Sequence, residues 1–225
     1  MRYQIRTAPI WDAYRDSKNG CPLCALHKSR EQKLVSQYLA DNVMDPDFRV
    51  ASNAVGFCAD HIRAMYAGQN KLGLALQLET RAAALCELID KPPTDKKSAR
   101  KTKDCLDAHC GCVICSSLDE TMPRYYRTVA EMYGAEDEFP SLFAEATHCV
   151  KHATLLFGTA EYAGKKTGAF LADLTASLKR DLKRTEKELR AFADCFDFKN
   201  AGARPDPTAI TRAIALLITP DIEHP

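Results

Sequence analysis

Apolar residues recur along most of the chain at intervals of three or four positions, which is the spacing of one face of an α-helix. Leu74, Leu78 and Leu85 show this spacing in the first half of the chain. Alternation of apolar and polar residues, which would indicate β-strands, is scarce. The pattern predicts an all-α fold.

The longest helical pattern lies in the second half of the chain. Its apolar positions share one predicted face, broken by the polar Thr185, with Lys and Arg on the outer face; they are Leu171, Leu174, Leu178, Leu182, Leu189, Phe192 and Phe196. After Pro205-Asp206-Pro207, a final amphipathic helix is predicted through Ile210, Ile214 and Leu217. The long helix offers a surface for a protein partner or a homodimer.

Prolines and capping residues predict where helices begin. Pro22 suits the first turn of a helix, which makes Cys21 its expected N-cap. Asp45-Pro46-Asp47 marks a turn and a new helix, and a further helix is expected to begin around Cys58. Pro123 is expected to delay or kink a helix in the second half.

Eight side chains able to bind metal form two sets with the same spacing. Each set reads C-x2-C, then thirty-three residues, then C-x2-H, and each member of the second lies 91 positions after its counterpart. The first set is Cys21, Cys24, Cys58 and His61, and the second is Cys112, Cys115, Cys149 and His152. A repeat at fixed offset indicates that a module of about ninety residues was duplicated.

The duplication predicts the domain organisation. We expect a first helical metal-binding module over residues 1–91, a basic linker over 92–104, a second module with the long helix over 105–200, and a C-terminal helix and tail over 201–225. The linker has many lysines and no large apolar side chain. Each copy should hold its own metal ion. Ligands from both copies around one ion would contradict the duplication.

Zinc is the expected metal, with two ions per chain. Two residues three positions apart direct both side chains at one ion, and two such pairs complete a tetrahedron of the Cys and His ligands that zinc prefers. An iron–sulfur cluster with a His ligand stays open. A redox dithiol at Cys21-Pro22-Leu23-Cys24 is less favoured, because thioredoxin-like motifs follow a strand and none is readable here.

Further cysteines and histidines lie near the second set. Cys105, His109, Cys110 and His148 are each able to replace an expected ligand, but the matched spacing favours the other four. Cys86 and Cys195 fall in helical apolar stripes and are expected to be packed thiols. The sequence contains no P-loop, GxGxxG, HExxH or GxSxG motif, and no catalytic residue is predicted.

Composition narrows the class of protein. The apolar fraction of 46% and the charged fraction of 27% are ordinary for a soluble globular protein. Thirty-one basic against thirty acidic residues give a net charge of +1, which argues against a nucleic-acid partner. No apolar run approaches the ~20 residues of a membrane span, and the N-terminus lacks the apolar core of a signal peptide. We expect a cytoplasmic protein whose ten cysteines are reduced and favour metal binding.

Several stretches resemble an uncharacterised bacterial family of unknown function. They are TAPIWDAY near the N-terminus, CPLCAL, DPDFR, GFCADH and the GLAL helix. The resemblance covers most of the first copy, and the second mainly through CVIC and CVKH; the second copy has no counterpart of DPDFR. The resemblance supports the metal sites and implies no reaction.

The sequence therefore favours a zinc-binding helical protein that recognises a protein or a ligand. Two sites with all four positions filled by protein ligands suit a structural role, because catalytic zinc keeps an open position. The alternative is a metalloenzyme or redox protein that uses one or both sites, either as zinc with an open position or as an iron–sulfur cluster. An enzyme is the less favoured reading.

Overall fold

The computed structural model describes residues 3–17, 20–40, 42–89, 91–196 and 204–218. Within these ranges all regular secondary structure is helical, which confirms the all-α prediction. The α-helices are α1 (Ala8–Arg15), α2 (Pro22–Leu39), α3 (Pro46–Val55), α4 (Ala59–Ala67), α5 (Lys71–Leu88), α6 (Lys96–Ala108), α7 (Val113–Ala135), α8 (Phe139–Glu145), α9 (Val150–Phe157), α10 (Thr167–Asp194) and α11 (Ala209–Leu217). A 3₁₀ helix (Ala160–Lys166) precedes α10.

Predicted helix starts are confirmed where a local signal defines them. α2 begins at Pro22. Asp45 caps α3, because its side chain accepts a hydrogen bond from the Asp47 N–H at 2.9 Å. Cys58 and Cys149 are the N-caps of α4 and α9, so each C-x2-H pair opens a helix.

Two segments differ from their predicted form. α7 begins at Val113 and continues through Pro123, so this proline does not delay the helix. Most of the basic segment 92–104 lies in α6. There a capping box closes the first turn: the Ser98 N–H donates to the Asp95 side chain at 2.7 Å, and the Asp95 N–H donates to the Ser98 hydroxyl at 3.0 Å. No residue of α6 is fully buried, and its partly buried residues include Cys105 and Leu106, so the capping box adds to a limited packing of this helix against α5.

The chain forms two compact units whose limits do not follow the repeat. The first unit comprises Met1–Lys28 and Thr121–Pro225, and the second comprises Ser29–Glu120. Both boundaries fall inside helices, α2 and α7. The first unit therefore combines the start of the first copy with most of the second copy.

The core of the first unit is rich in aromatic rings. Tyr14, Tyr133, Phe139, Phe143 and Phe170 come from α1, α7, α8 and α10 and are at most 2% exposed. Neighbouring ring centroids lie 4.9 to 6.1 Å apart. Such pairs contribute about 0.5–1.5 kcal/mol each beyond their buried area. This core supports both α10 and the loop that leads to Cys149.

The second unit has two smaller apolar clusters. One contains Leu34, Ile114 and Leu118 together with Cys112, and the half-buried Cys58 and Cys115 pack against it. The other contains Leu39, Met65 and Leu74. Three of the predicted ligands thus belong to the apolar core of this unit.

We searched the described residues for a helix that could span a membrane and found none. None of the described helices is long and apolar enough to cross a bilayer.

Candidate metal centres

The eight predicted ligands form two clusters, and each cluster takes one half from each copy of the repeat. Site 1 consists of Cys21, Cys24, Cys149 and His152, and site 2 consists of Cys58, His61, Cys112 and Cys115. Within each site the four ligand atoms lie within 4.8 Å of one another. The predicted pairing within each copy is wrong. Mixed sites of this kind contradict a duplication of self-contained modules.

Site 1 has the dimensions of a four-coordinate metal centre. His152 Nδ1 lies 3.5, 3.3 and 3.1 Å from the Sγ atoms of Cys21, Cys24 and Cys149. Cys24 Sγ lies 3.8 Å from Cys149 Sγ. Bonds of about 2.3 Å to sulfur and about 2.0–2.1 Å to nitrogen put the corners of a zinc tetrahedron about 3.6 Å (S to N) and about 3.8 Å (S to S) apart. The four atoms are thus close enough together to bind one metal ion.

Site 2 has nearly the same dimensions. His61 Nδ1 lies 3.1, 3.3 and 3.4 Å from the Sγ atoms of Cys58, Cys112 and Cys115. Cys58 Sγ lies 3.9 Å from Cys115 Sγ. In both sites Nδ1 of the histidine faces the three sulfur atoms, which leaves Nε2 for contacts outside the cluster.

Electrostatics in site 2 favour a bound cation. Burial acts to raise the pKa of Cys112, but hydrogen bonds from His61 and from the backbone N–H groups of Cys115 and Cys58 lower this pKa to about 6. Burial acts to lower the pKa of His61, but the thiolates of Cys112 and Cys58 raise it to about 9. In both cases negative charge on sulfur is stabilised by a nearby positive charge, and a divalent metal supplies that charge more strongly.

Site 1 shows the same coupling. Hydrogen bonds with Cys149 and Cys21 raise the pKa of the Cys24 thiol, whereas hydrogen bonds from Cys21 and Cys24 lower the pKa of Cys149. Burial acts to lower the pKa of His152, but its contacts with Cys149 and Cys21 raise it to about 9. Three thiols in contact cannot all ionise without a cation, which a metal ion would provide.

A backbone hydrogen bond joins the two halves of site 2. The Val113 N–H donates to the Gly56 carbonyl at 3.0 Å, two residues before Cys58. Gly56 has a φ of 100°, and a Cβ on it would lie 2.8 Å from the His109 carbonyl oxygen. Only glycine fits this position, because of both the positive φ and the close approach. The Arg81 guanidinium also donates to the His109 carbonyl.

An arginine clamp holds the loop that leads to the C-x2-H half of site 1. Arg180 of α10 donates to the carbonyl oxygens of residues 144–146 at 2.9 to 3.2 Å, just before Cys149. Its guanidinium also contacts the carboxylate of Asp181 at 3.1 Å, and Asp181 is fully buried. Nothing in the spacing of the sequence indicated this clamp.

A cavity opens beside site 1. It has a volume of about 230 Å³, and its walls include Cys21, Cys149, Arg184 and Arg212. Both arginines contact carboxylates, since Arg184 lies 3.3 Å from Asp181 and Arg212 lies 3.1 Å from Glu188. Two of the site 1 ligands therefore border a small polar cavity.

The additional candidates near the second set lie outside both clusters. His148 is fully buried, its Nε2 lies 3.1 Å from the Tyr14 hydroxyl, and burial lowers its pKa to about 4. His109 Nδ1 lies 2.9 Å from the Cys105 carbonyl, and Cys110 Sγ donates to the Leu106 carbonyl. Cys105, His109, Cys110 and His148 therefore belong to neither group of four ligand atoms.

The cysteines predicted to be packed thiols differ from each other. Cys86 is exposed on α5, so its prediction as a buried thiol is wrong. Cys195 is partly buried, and its Sγ donates to the Ala191 carbonyl at 3.2 Å.

Glu31 is a further functional candidate, and no motif in the sequence indicates it. Its Oε1 lies 3.2 Å from His61 Nε2, on the side of the ring that faces away from the sulfur atoms. The pair has the distance but not the alignment of a hydrogen bond. Metal-binding histidines commonly place a carboxylate at the second ring nitrogen, which orients the ring and raises its basicity.

Glu31→Ala should therefore weaken metal binding at site 2 by about 10- to 100-fold and leave site 1 unchanged, with Glu31→Gln recovering part of the loss. The measurement is a competition titration with a chromophoric chelator, which resolves the two sites when their affinities differ. Glu79→Ala, at an exposed position of α5, is the matched control. An unchanged titration for Glu31→Ala would show that the carboxylate does not support His61.

Comparison with known proteins identifies the family of this chain. A family of unknown function, DUF6062, matches residues 1–219. The chain belongs to DUF6062. No curated protein and no solved structure matches the chain. Membership of DUF6062 confirms the resemblance to a family of unknown function and assigns no reaction.

Proposed function

We propose that this DUF6062 protein is a cytoplasmic zinc-binding protein with two structural metal sites, and that it acts by recognising a protein partner. One observation carries the zinc proposal: two groups of three cysteines and one histidine, each with its ligand atoms within 4.8 Å of one another. All ten cysteines are free, as expected of thiols in a reducing compartment.

Zinc fits the spacing of the ligands better than a multi-iron cluster does. The sulfur atoms of Cys24 and Cys149 are 3.8 Å apart, and those of Cys58 and Cys115 are 3.9 Å apart. These distances match the S–S edge of about 3.8 Å expected for tetrahedral zinc. A cluster of several irons lies between its ligands, so its four ligand atoms would not all lie as close to one another as the 4.8 Å found in each site.

A structural role fits the surroundings of the ligands. Each site offers four protein ligands, which saturates tetrahedral zinc and leaves no position for a substrate. Cys112, Cys149, His61 and His152 are all buried. The sites join helix starts that lie far apart in the sequence, so the metal would fix the packing of α2 on α9 and of α4 on α7.

Protein purified without chelator should contain two zinc ions per chain by elemental analysis. The protein should also be colourless, because Zn²⁺ has a filled d shell and no d–d transition. An iron–sulfur cluster would instead absorb near ~400 nm. Anaerobic purification is the control, since it preserves a cluster that air would destroy. A metal content near zero would contradict the zinc proposal, and iron with visible absorbance would establish the iron–sulfur alternative.

A further inference from the structure

We propose that α10 pairs in an antiparallel arrangement with α10 of a second copy of this chain. The inference rests on the recognition role proposed above and identifies the partner as the same protein. It follows from a groove on α10, from the apolar surface next to it, and from the charges along its walls.

The groove is an apolar depression along the middle of α10. It has a volume of about 540 Å³, and Leu182 and Leu189 of α10 lie in it together with Phe157 of α9 and Leu217 of α11. Leu182 and Leu189 are seven residues apart, which is the repeat of a helix that packs against another helix along its length. The groove therefore presents leucines at the periodicity that a second helix would match.

The apolar surface continues from the groove onto α11. This helix packs Ala209, Ala213 and Leu216 inward, whereas Ile210, Ile214 and Leu217 are 44%, 41% and 43% exposed. Three large apolar side chains of α11 thus remain exposed, and one of them, Leu217, also lines the groove. A contiguous exposed apolar surface of this kind marks an interaction site.

The charges on the groove favour a second copy in antiparallel orientation. Lys179 and Glu186 both line the groove and are seven residues apart on either side of Leu182. A two-fold axis near Leu182 places Lys179 of each protomer beside Glu186 of its partner, which gives two ion pairs. A parallel pair would instead place Lys179 beside Lys179. Lys183, which also lines the groove, is one helical turn from Glu186 on its own helix.

Sedimentation equilibrium of the zinc-loaded full chain tests this proposal. We expect a dimer of twice the 25.0 kDa chain mass. Lys179→Glu and Glu186→Lys, made separately, should each weaken the dimer by about 10- to 30-fold, because each change turns two ion pairs into two like-charge contacts. The double variant Lys179→Glu with Glu186→Lys should restore the dimer, since it exchanges the charges and keeps them complementary. Lys187→Glu, at an exposed position of α10 outside the groove, is the control and should have no effect.

Three results would overturn the proposal: a monomer at every concentration, a dimer that the single reversals leave unchanged, or a double variant that remains as weak as the singles. Metal content measured on the same samples separates this inference from the zinc sites. A monomer with two zinc ions refutes the dimer alone, and a dimer without metal refutes the zinc sites alone.

Discussion

Removing Cys21, Cys24, Cys149 and His152 together should leave one metal ion per chain, whereas removing Cys21, Cys24, Cys58 and His61 together should leave none. The first set is all of site 1, so site 2 keeps its four ligands. The second set takes half of each site, and the two ligands that remain cannot hold zinc in a tetrahedron. Both variants carry four substitutions, three Cys→Ser and one His→Ala, so they differ only in which C-x2-H half is lost.

Native mass spectrometry after dialysis against a weak chelator counts the ions, and the chelator removes metal held loosely by unfolded thiols. Replacing the non-ligand cysteines Cys86 and Cys110 by Ser should leave two ions. If ligands paired within each copy, the two quadruple variants would exchange properties: the first would lose both ions and the second would keep one.

Cys58→Ser should unfold the second unit, whereas Cys86→Ser should change its free energy of unfolding by no more than about 0.5 kcal/mol. A structural zinc site contributes apparent binding free energies of about 10–16 kcal/mol, which is as large as the whole stability of an ordinary domain at about 5–15 kcal/mol. We expect the loss of one of the four ligands to remove enough of this metal-binding free energy to unfold the second unit. Cys86 is exposed and belongs to neither ligand cluster, so the same chemical change there has little to disturb.

Thermal unfolding followed by circular dichroism compares the two variants, and hydrogen exchange locates the damage. Residues 29–120 should lose protection in Cys58→Ser, because Cys58, His61, Cys112 and Cys115 all lie in that unit. Chelator added to the unaltered protein should cause the same loss of hydrogen-exchange protection in residues 29–120. It should also reduce protection around site 1. Equal melting temperatures for Cys58→Ser and Cys86→Ser would show that site 2 does not stabilise the fold.

Local signals in the sequence determined most of the secondary structure. Pro22 and the Asp45 cap fixed the starts of α2 and α3, because the residues that terminate a helix act within one turn of it. The same kind of local signal was overlooked for α6. Its lysines and its lack of large apolar side chains predicted a linker, but the capping box of Asp95 and Ser98 starts a helix there that has no fully buried residue. Pro123 is held within α7 although its local preference is to end a helix.

The sequence also determined which eight side chains form the two four-ligand sites. Residues three positions apart at a helix start direct both side chains to the same point, whatever the rest of the chain does, so each C-x2-C and each C-x2-H is a half-site by itself. Glu31 and Arg180 had no such signal, because their partners, His61 and the carbonyls of residues 144–146, are distant in sequence.

Only the tertiary structure decided which half-sites meet. Each C-x2-C pair can be completed by either C-x2-H pair, and both combinations leave every local spacing the same. The repeat favours pairing within each copy, which needs only the shorter connection from Cys24 to Cys58. The structure takes the other combination, which joins Cys24 to Cys149 across 125 positions and His61 to Cys112 across 51. The long connection is favoured because Tyr14 and Phe143, far apart in sequence, pack in one aromatic core, and that core brings the start of α2 to the start of α9. Burial of apolar surface is non-directional and acts between any segments that meet, so it selects partners that the spacing of ligands along the chain cannot specify.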